Sequence, residues 1–399
     1  MRIDINEYFC GEILLFKMKI GFDAKRAVCN NTGLGNYSRL VIDVLSLYFP
    51  KNDYRLYSPV DRKNDRLEPL LSRENVEMVY PDTAMGRKLS SLWRVGSVSS
   101  QLCRDNVDLF HGLSNELPLS IAKSGIPSVV TIHDLIFRHF PQYYKPIDRT
   151  IYDYKFRKAA ENASRVIAIS ECTRNDIVEM YGIDPKKIDV VYQGCDPLFQ
   201  APVTLESRQR VKEKYNLPER FIVAVGTIES RINQLLAVKA LRGLPDDVKR
   251  GIVGRRTAYA TEIDNYIASQ RGLASRVMFL EGVPFIDLPV IYALAQVSSY
   301  TSRFEGFGIP VIEALSVGTP VIAATGSCLE EAGGKGGVYV DPDNVDQYIE
   351  EARVLLDSRY HCDKLVELGR RHIKKFNLDN FAKGIMTTYN KAILGLILD

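Results

Sequence analysis

Glu305 and Glu313, two glutamates with seven residues between them, carry the strongest chemical signal in the sequence. Carboxylates accept hydrogen bonds from hydroxyl groups, such as those of a sugar or a ribose, but are poor partners for phosphate. Gly306 and Gly308 precede a predicted helix start, where free backbone N–H groups and the helix dipole attract an anion. The combination suits a nucleotide-sugar. An ordinary strand–turn–helix with solvated glutamates is the alternative.

These residues need a strand before them and a helix after them. The apolar run from Ala295 to Tyr300 predicts a buried strand. The stretch from Pro310 to Leu315 predicts an amphipathic helix, with proline in the first turn, where its missing N–H costs nothing. Ligands of open parallel sheets bind beyond the carboxyl ends of the strands, and the glutamates would lie there.

The same alternation of strand, turn and helix runs through the chain from Met18, interrupted by a polar, proline-bearing hinge that ends near Ser207. We predict an α/β protein with two Rossmann-like, doubly wound parallel-sheet domains, 1–198 and 199–376, facing each other across a cleft. Strands are predicted at Lys19–Phe22, Arg55–Tyr57, Val76–Tyr80, Val107–His111, Ser128–His133, Arg165–Ile169 and Lys187–Tyr192, then at Phe221–Val225, Gly251–Val253, Val277–Leu280, Val297–Tyr300, Pro320–Ala323 and Gly337–Val340.

The composition is that of an average globular protein, with 46% hydrophobic and 25% charged residues among 399. A net charge of +3 is too small to indicate a nucleic-acid partner. The seven cysteines form no Cys-x-x-Cys pair, which favours reduced thiols in the cytoplasm over disulfides or a zinc site. No apolar run approaches a membrane span, and Ile13 to Phe16 is too short for a secretory signal. We expect the stretch before Met18 to be an extension of little importance.

Polar side chains follow several other predicted strands. His133 and Asp134 end one strand, where such a pair orients a substrate hydroxyl or steadies a developing charge, unless neighbouring backbone satisfies the histidine. His111 is similarly placed but has no charged neighbour. Thr227 and Arg231 lie in the loop after the first strand of the second domain. The planar guanidinium of Arg231 could pair with a diphosphate, or it is a solvated loop residue.

Two further segments are open to alternatives. Gly33 and Gly35 open the first long helix and could cradle a phosphate or admit an acceptor, but Ser38 stands where a dinucleotide fingerprint has its third glycine. The stretch from Gly86 to Val95 mixes apolar and basic residues, with Arg87 to Arg94 as its charged part. It could lie on an anionic membrane surface or line an acceptor groove, but we expect an ordinary helix that packs its apolar face on the sheet.

Taken in order and spacing, these motifs resemble the retaining glycosyltransferases of the GT-B architecture, family 4, also called glycosyltransferase group 1. The resemblance runs along nearly the whole chain from Met18, and the paired glutamates are its most specific element. The motifs that carry it are Gly33–Ser38, Thr131–Asp134, Val166–Ser170, Val190–Gly194, Gly226–Asn233, Glu305–Glu313 and Gly318–Ile322.

The resemblance implies a role for each motif residue and a helix, 377–399, that packs back on the first domain. Glu313 would bind the ribose, Glu305 the hydroxyls of the transferred sugar, and Arg231 the diphosphate. The implied catalytic residues are His133, Glu305 and Arg231; the donor-binding residues are Gly35, Thr227, Arg303, Gly306, Phe307, Gly308, Ile309 and Glu313; Gly33 and Asp134 would lie on the acceptor side.

The implied reaction moves a mannose-type or glucose-type hexose from a nucleoside-diphosphate sugar to a polysaccharide or a lipid-linked saccharide. Negative charge develops on the leaving diphosphate, so preorganised donors matter more than a strong base. Such folds usually need neither metal nor cofactor, and Asp341-Pro342-Asp343 is better explained as a helix cap. We expect a cytoplasmic protein, with peripheral contact to the inner membrane face as an option.

One position departs from the family pattern, because Ile232 stands where a lysine usually follows the arginine. Losing a donor to a developing charge costs on the order of 10²–10³ in rate, which predicts reduced activity. Arg303 is the candidate substitute cation. Two other functions stay open: a weakened glycosyltransferase-like subunit that binds a partner, and a nucleotide-sugar epimerase on the same fold.

Overall fold

The computed structural model describes residues 17–398, and side chains up to residue 395. The chain forms two compact units, one ending at Gln193 and resuming at Leu378, the other spanning Gly194–Asn377. The predicted pair of parallel α/β sheets is confirmed. The stretch before Lys17, interpreted above as an extension, lies outside the described residues.

The first unit contains a seven-stranded parallel sheet in the order β3-β2-β1-β4-β5-β6-β7. Its central strands are almost entirely buried, as expected for a sheet covered on both faces. The strands are β1 Lys19–Asp23, β2 Asp53–Tyr57, β3 Val76–Val79, β4 Leu109–Gly112, β5 Ser128–Ile132, β6 Arg165–Ala168 and β7 Ile188–Val190. The helices are α1 Lys25–Cys29, α2 Gly33–Tyr48, α3 Glu68–Leu71, α4 Ala84–Lys88, α5 Ser90–Leu92, α6 Val98–Arg104, α7 Ile121–Ser124, α8 Ile136–His139, α9 Pro146–Asn162 and α10 Glu171–Tyr181, with a π-helical turn at Trp93–Ser97.

The second unit repeats the plan with a six-stranded parallel sheet in the order β10-β9-β8-β11-β12-β13. The order reverses between β8 and β11, which is where open sheets of this kind bind ligands. The strands are β8 Phe221–Val225, β9 Lys249–Val253, β10 Val277–Leu280, β11 Val297–Tyr300, β12 Val321–Ala324 and β13 Gly337–Val340. The helices are α11 Leu205–Lys214, α12 Gln234–Ala240, α13 Ala260–Ser269, α14 Leu288–Leu294, α15 Ile309–Val317, α16 Leu329–Gly333, α17 Val345–Asp357 and α18 Arg359–His372.

The last helix, α19 (Leu378–Leu398), belongs to the first unit. It packs on α2, β5 and β6. The ring of Phe381 contacts that of Tyr37, with 5.8 Å between centroids. Within the part of the chain that the structure describes, no helix has the length and apolar character needed to cross a membrane.

The basic segment before β4 differs from the expected single helix. Its chain forms α4, α5 and the π-helical turn, and Trp93 packs in the core at 2% exposure. Leu89 and Leu92 instead remain 49% and 63% exposed. The expectation of an ordinary helix with its apolar face on the sheet is therefore wrong for these two leucines.

Candidate active site

Glu305 lies between β11 and α15, at the carboxyl edge of the second sheet. The turn into α15 depends on Gly308, whose φ of 106° falls in the left-handed region. A Cβ at this position would lie 2.6 Å from the Leu329 side chain, so a larger residue would displace the helix start. No side chain caps α15. Pro310 has no N–H and the Val311 N–H donates to the Gly308 carbonyl at 3.0 Å, so within the described residues the Gly308 and Ile309 N–H groups are the ones left to a ligand at this helix start.

The structure brings Glu305 together with Arg231, which lies on a short 3₁₀ turn after β8, Ser230–Ile232. The guanidinium Nη1 of Arg231 donates to Glu305 Oε1 and to the Phe304 carbonyl, the latter at 2.8 Å. The hydroxyl of Tyr300, the last residue of β11, donates to the same Glu305 oxygen at 2.8 Å. Nη2 of Arg231 reaches Glu229 at 2.8 Å. The carboxylate is therefore held from two sides.

The ion pair keeps Arg231 charged in a largely buried place. Burial opposes the positive charge of Arg231, but the carboxylates of Glu305 and Glu229 outweigh burial and raise the arginine pKa above its ordinary value. Burial, and then the same Glu305 charge, raise the pKa of Tyr300, so its hydroxyl stays protonated as a donor. A fixed cation next to a hydroxyl acceptor can stabilise a leaving phosphate and orient a sugar hydroxyl.

Glu313 lies inside α15 and is buried. Its Oε2 accepts a hydrogen bond from the Tyr292 hydroxyl at 3.1 Å. Burial raises the pKa of Glu313 to about 7, and the nearby charge of Asp196 acts in the same direction, while the bond from Tyr292 opposes them. Glu313 thus changes protonation near neutral pH.

Arg303 is placed differently from the expectation of a substitute cation. Its guanidinium forms two parallel hydrogen bonds with Asp343, at 2.9 and 2.6 Å. Its backbone N–H donates to the Arg231 carbonyl at 2.9 Å. The pairing also corrects the interpretation of Asp341-Pro342-Asp343, because the residue that caps α17 is Asn344, whose side chain accepts from the Gln347 N–H at 2.9 Å.

Ile232 ends the same 3₁₀ turn and is 4% exposed. The next residue, Asn233, adopts a left-handed conformation with φ of 57° and holds the turn by donating to the Pro342 carbonyl at 2.8 Å. The isoleucine side chain thus packs inward beside Arg231 and offers no charge there.

The other residues predicted to bind the sugar donor offer backbone groups more than side chains. Phe307 is 3% exposed and packs its ring on Phe376, 5.1 Å between centroids. Gly306 is buried beside it, and Ile309 begins α15. The carbonyl of Thr227 accepts from the Gln234 side chain at 3.1 Å.

In the first unit, His133 follows β5 and is 6% exposed. Its Nε2 lies 2.9 Å from the Leu113 carbonyl, which can only accept, so Nε2 carries the proton. Its backbone N–H donates to the Asn115 side chain at 2.7 Å. Burial lowers the pKa of His133 to about 4 against the raising effect of the Leu113 bond, with Arg26 adding to the lowering. The ring is therefore neutral at pH 7, with Nδ1 as an acceptor, and no hydrogen bond to Nδ1 is found within the described part of the chain.

Behind His133 lies a buried network that ties the last helix to the sheet. His111 Nδ1 lies 2.7 Å from the Tyr389 hydroxyl of α19, and Nε2 lies 2.8 Å from Thr131 Oγ1. The Tyr37 hydroxyl lies 3.1 Å from the same Thr131 oxygen, and its ring stands edge-on to His133. Burial lowers the pKa of His111 to about 3, with His133 adding to the lowering. His111 is thus a satisfied core residue.

Gly33 and Gly35 lie in the first turn of α2, whose N-terminus has no side-chain cap. A Cβ on Gly35 would lie 1.8 Å from the Asn30 carbonyl oxygen, so glycine is needed for this close backbone contact. No atom lies within 4 Å of a Cβ built on Gly33, which is therefore open to a ligand. Asp134 Oδ1 accepts from the Ile136 N–H at 3.1 Å, at the start of α8.

Sequence reasoning missed three residues that shape these sites. Tyr300 and Tyr292 orient Glu305 and Glu313, and Asn115, with φ of 62°, holds the backbone of His133. Tyr300 was visible as a polar end to an apolar strand, whereas nothing local marks Tyr292 as a partner of Glu313. Among residues 17–398, no three His, Cys, Asp or Glu side chains are grouped so as to hold a metal ion.

Two family models match the chain. The model described as Glycosyl transferases group 1 matches residues 206–372, and the one described as Glycosyltransferase Family 4 matches residues 45–198. The first match includes Arg231, Glu305 and Glu313, and the second includes His133.

Named relatives and a solved structure agree with these matches. The chain is 26% identical over 292 residues to O-antigen chain mannosyltransferase B of Escherichia coli, covering 72% of this chain and 75% of that protein. It is 26% identical over 367 residues to MMP alpha-(1->4)-mannosyltransferase of Mycolicibacterium hassiacum, covering 88% of this chain and 84% of that protein. The fold is similar to that of Anabaena Alr3699/HepE in complex with UDP and glucose, with a TM-score of 0.74 at 20% identity, covering 94% and 99% of the two chains.

Proposed function

The chain belongs to the group 1 glycosyltransferases of family 4, and on this premise we propose that it transfers a hexose, with retention of configuration, from a nucleoside-diphosphate sugar to a polysaccharide or lipid-linked saccharide. The two named mannosyltransferases support a mannose-type donor. The Anabaena structure contains UDP and glucose, which supports a glucose-type donor as the alternative.

The observation that carries the proposal is the ion pair of Arg231 and Glu305 in front of the uncapped N-terminus of α15. The cation and the N-terminal end of α15 suit a diphosphate, while the second oxygen of Glu305 suits a sugar hydroxyl. Glu313, farther along the same helix, would accept hydrogen bonds from the ribose. Backbone at Gly306, Phe307, Gly308 and Ile309 would line the donor.

In the proposed reaction, the bond between the sugar anomeric carbon and the diphosphate oxygen breaks while the acceptor oxygen bonds that carbon on the same face. The acceptor proton passes to the leaving phosphate oxygen, which gives retention without a nucleophilic carboxylate. Arg231 and the α15 amides stabilise the negative charge that develops on the diphosphate. The proposal assigns no step to a metal ion or a cofactor.

His133 takes a binding role in this proposal rather than that of a general acid. Its imidazole is neutral at physiological pH, and Leu113 holds the Nε2 proton. The Nδ1 lone pair would accept a hydrogen bond from a hydroxyl of the transferred sugar. Gly33, Gly35 and Asp134 would lie near the donor phosphate and the acceptor.

Ile232 would lower the rate, because a second cation beside Arg231 is missing and Arg303 pairs with Asp343.

We also propose a cytoplasmic enzyme in peripheral contact with the inner membrane face. The stretch around Arg87 to Arg94 supports this contact, since Leu89 and Leu92 are exposed beside Arg87 and Lys88.

An assay with UDP-, GDP-, ADP- and dTDP-sugars tests the proposal. We expect one donor to release its nucleoside diphosphate in the presence of a saccharide acceptor. Epimerised donor without release would instead indicate an epimerase. Neither nucleotide release nor epimerisation with any donor would indicate a binding subunit and contradict the proposed transferase.

A further inference from the structure

The first unit contains an apolar groove beside α9, with a volume of about 290 Å³. We call it the α9 groove. Val95, Leu119, Ile151 and Tyr154 form its apolar wall, and Glu116 and Lys155 stand at its polar end. Leu119, Ile151 and Tyr154 are 43%, 43% and 54% exposed, so the wall faces solvent across several large side chains.

A backbone hydrogen bond and a buried tryptophan fix the segments that carry the groove wall. Val95 lies in the π-helical turn, and its carbonyl accepts a hydrogen bond from the Leu119 N–H at 2.8 Å. This bond joins the segment before α6 to the loop after β4. Trp93, in the same turn, is anchored in the core by its indole N–H, which donates to Gln101 at 3.0 Å. Such π-helical turns occur frequently at functional sites.

The polar end adjoins the carboxyl edge of the first sheet. Glu116 accepts from Arg94 Nη1 at 2.7 Å and from Lys155 Nζ at 3.4 Å. Arg94 also donates through Nε to Asp23 at 2.9 Å, and Asp23 is the last residue of β1. A ligand lying in the groove would therefore reach the edge where parallel sheets bind substrates.

This end has more positive than negative charge. Lys25 interacts electrostatically with Arg94 and Arg26 and with the carboxylates of Glu116 and Asp23. With Lys155 these make four cations against two carboxylates, which leaves an excess of positive charge. Within the described residues, no hydrogen bond or ion pair of the Lys25 ammonium is found, so it is a cation available to a ligand. A phosphate complements this charge.

We propose that the α9 groove holds the apolar chain of a lipid-linked acceptor, with the phosphate of that lipid beside Lys25. The inference rests on the proposed transferase function and decides between the two acceptor classes named there. A free polysaccharide has neither an apolar chain to cover Ile151 and Tyr154 nor a phosphate for Lys25, whereas a lipid phosphate supplies both.

Calorimetry with farnesyl diphosphate as the probe tests the proposal, with inorganic pyrophosphate and farnesol as its two separate halves. We expect the full probe to bind at least about tenfold more tightly than either half, since both the apolar wall and Lys25 contribute. The double variant Ile151→Ser/Tyr154→Ser should weaken the full probe by about tenfold, and Lys25→Ala should weaken it without changing farnesol binding. Leu47→Ser, at another exposed leucine of the first unit (60% exposed), is the matched control and should leave binding unchanged.

Equal affinity for pyrophosphate and farnesyl diphosphate, or no change in the double variant, would overturn the proposal. So would a double variant that loses binding to phosphatidylglycerol vesicles but keeps farnesyl diphosphate, because the wall would then contact a membrane rather than the acceptor. The calorimetry contains no sugar donor, so it measures lipid binding independently of the nucleotide-release assay described above. Probe binding combined with no release in that assay would reject the transferase alone, and release combined with no probe binding would reject the lipid-linked acceptor alone.

Discussion

Arg231 and Glu305, 74 positions apart in the chain, form an ion pair at the carboxyl edge of the second sheet, and Tyr300 donates to the same carboxylate oxygen at 2.8 Å. Two donors thereby occupy Glu305 Oε1. No hydrogen bond to Oε2 is found among the residues that the structure describes, so Oε2 is the oxygen that a ligand would meet. The pair also keeps a cation fixed where a diphosphate would leave. Charge stabilisation and sugar orientation thus depend on one contact.

Replacing Arg231 with lysine keeps the charge but removes the planar fork that contacts Glu305, Glu229 and Phe304. We expect kcat to fall by about 10²–10³, because a preorganised donor to the leaving group is lost. Initial rates at saturating donor measure this effect. A rate within threefold of wild type would show that the planar arrangement of these donors is unimportant.

Glu313→Gln should change how stability depends on pH. The folded-state pKa of Glu313 is raised to about 7 by burial, so between about pH 4.5 and 7 the unfolded chain releases a proton that the folded chain keeps. Stability of the wild type should therefore fall as pH rises through this window, whereas the glutamine variant should not show this fall. Above pH 7 the variant should be more stable by up to about 3 kcal/mol.

Urea unfolding from pH 4.5 to 8.5 measures this difference, with the exposed Glu350→Gln as the matched control. Parallel pH curves for the variant and wild type would contradict the buried, titrating carboxyl.

The same Glu313 variant should bind nucleoside diphosphate more weakly, since an amide accepts fewer ribose hydrogen bonds than a carboxylate.

Ile232→Lys should tighten binding of nucleoside diphosphate. A charge-assisted hydrogen bond contributes about 1.5–3 kcal/mol, which corresponds to about tenfold or more in affinity if the ammonium leaves the buried isoleucine site toward the ligand. Isothermal calorimetry measures the change, and Ile232→Met is the control for side-chain length. Unchanged affinity in the lysine variant would show that this side chain does not face phosphate.

Tyr389→Phe tests the attachment of α19 to the first sheet. The change leaves buried His111 Nδ1 without its partner at 2.7 Å, and an unsatisfied buried polar atom costs about 1–3 kcal/mol. We expect the free energy of unfolding to fall by that amount in urea titrations. Tyr360→Phe, at an 81% exposed tyrosine, should have no effect. Equal stability of the two variants would argue against the buried bond.

Strand positions in the second unit followed from apolar runs alone. The bounds of β8, β10, β11 and β13 agree with the predicted ranges because each run is short and limited by polar or glycine residues. The first long helix, α2, begins at Gly33 as expected. Gly35 is selected there by close contact with the Asn30 carbonyl, which the sequence did not show.

The sequence located the residues of the site but did not show which of them contact one another. Spacing located Glu305 and Arg231, yet their mutual pairing and the partnership of Arg303 with Asp343 depend on which loops meet in three dimensions. The exposure of Leu92 was missed for the same reason, because a local apolar pattern does not show whether the sheet has room for every apolar side chain.

The central claim is that Glu305, held by Arg231 and Tyr300, serves the transferred sugar. The direct measurement compares nucleoside-diphosphate release by Glu305→Gln and Glu229→Gln, since both residues pair with Arg231 but Glu229 does not accept from Tyr300. We predict a loss of about 10² or more for Glu305→Gln, with Glu229→Gln close to wild type. Equal rates in the two variants would contradict the assignment of Glu305 to the reacting sugar.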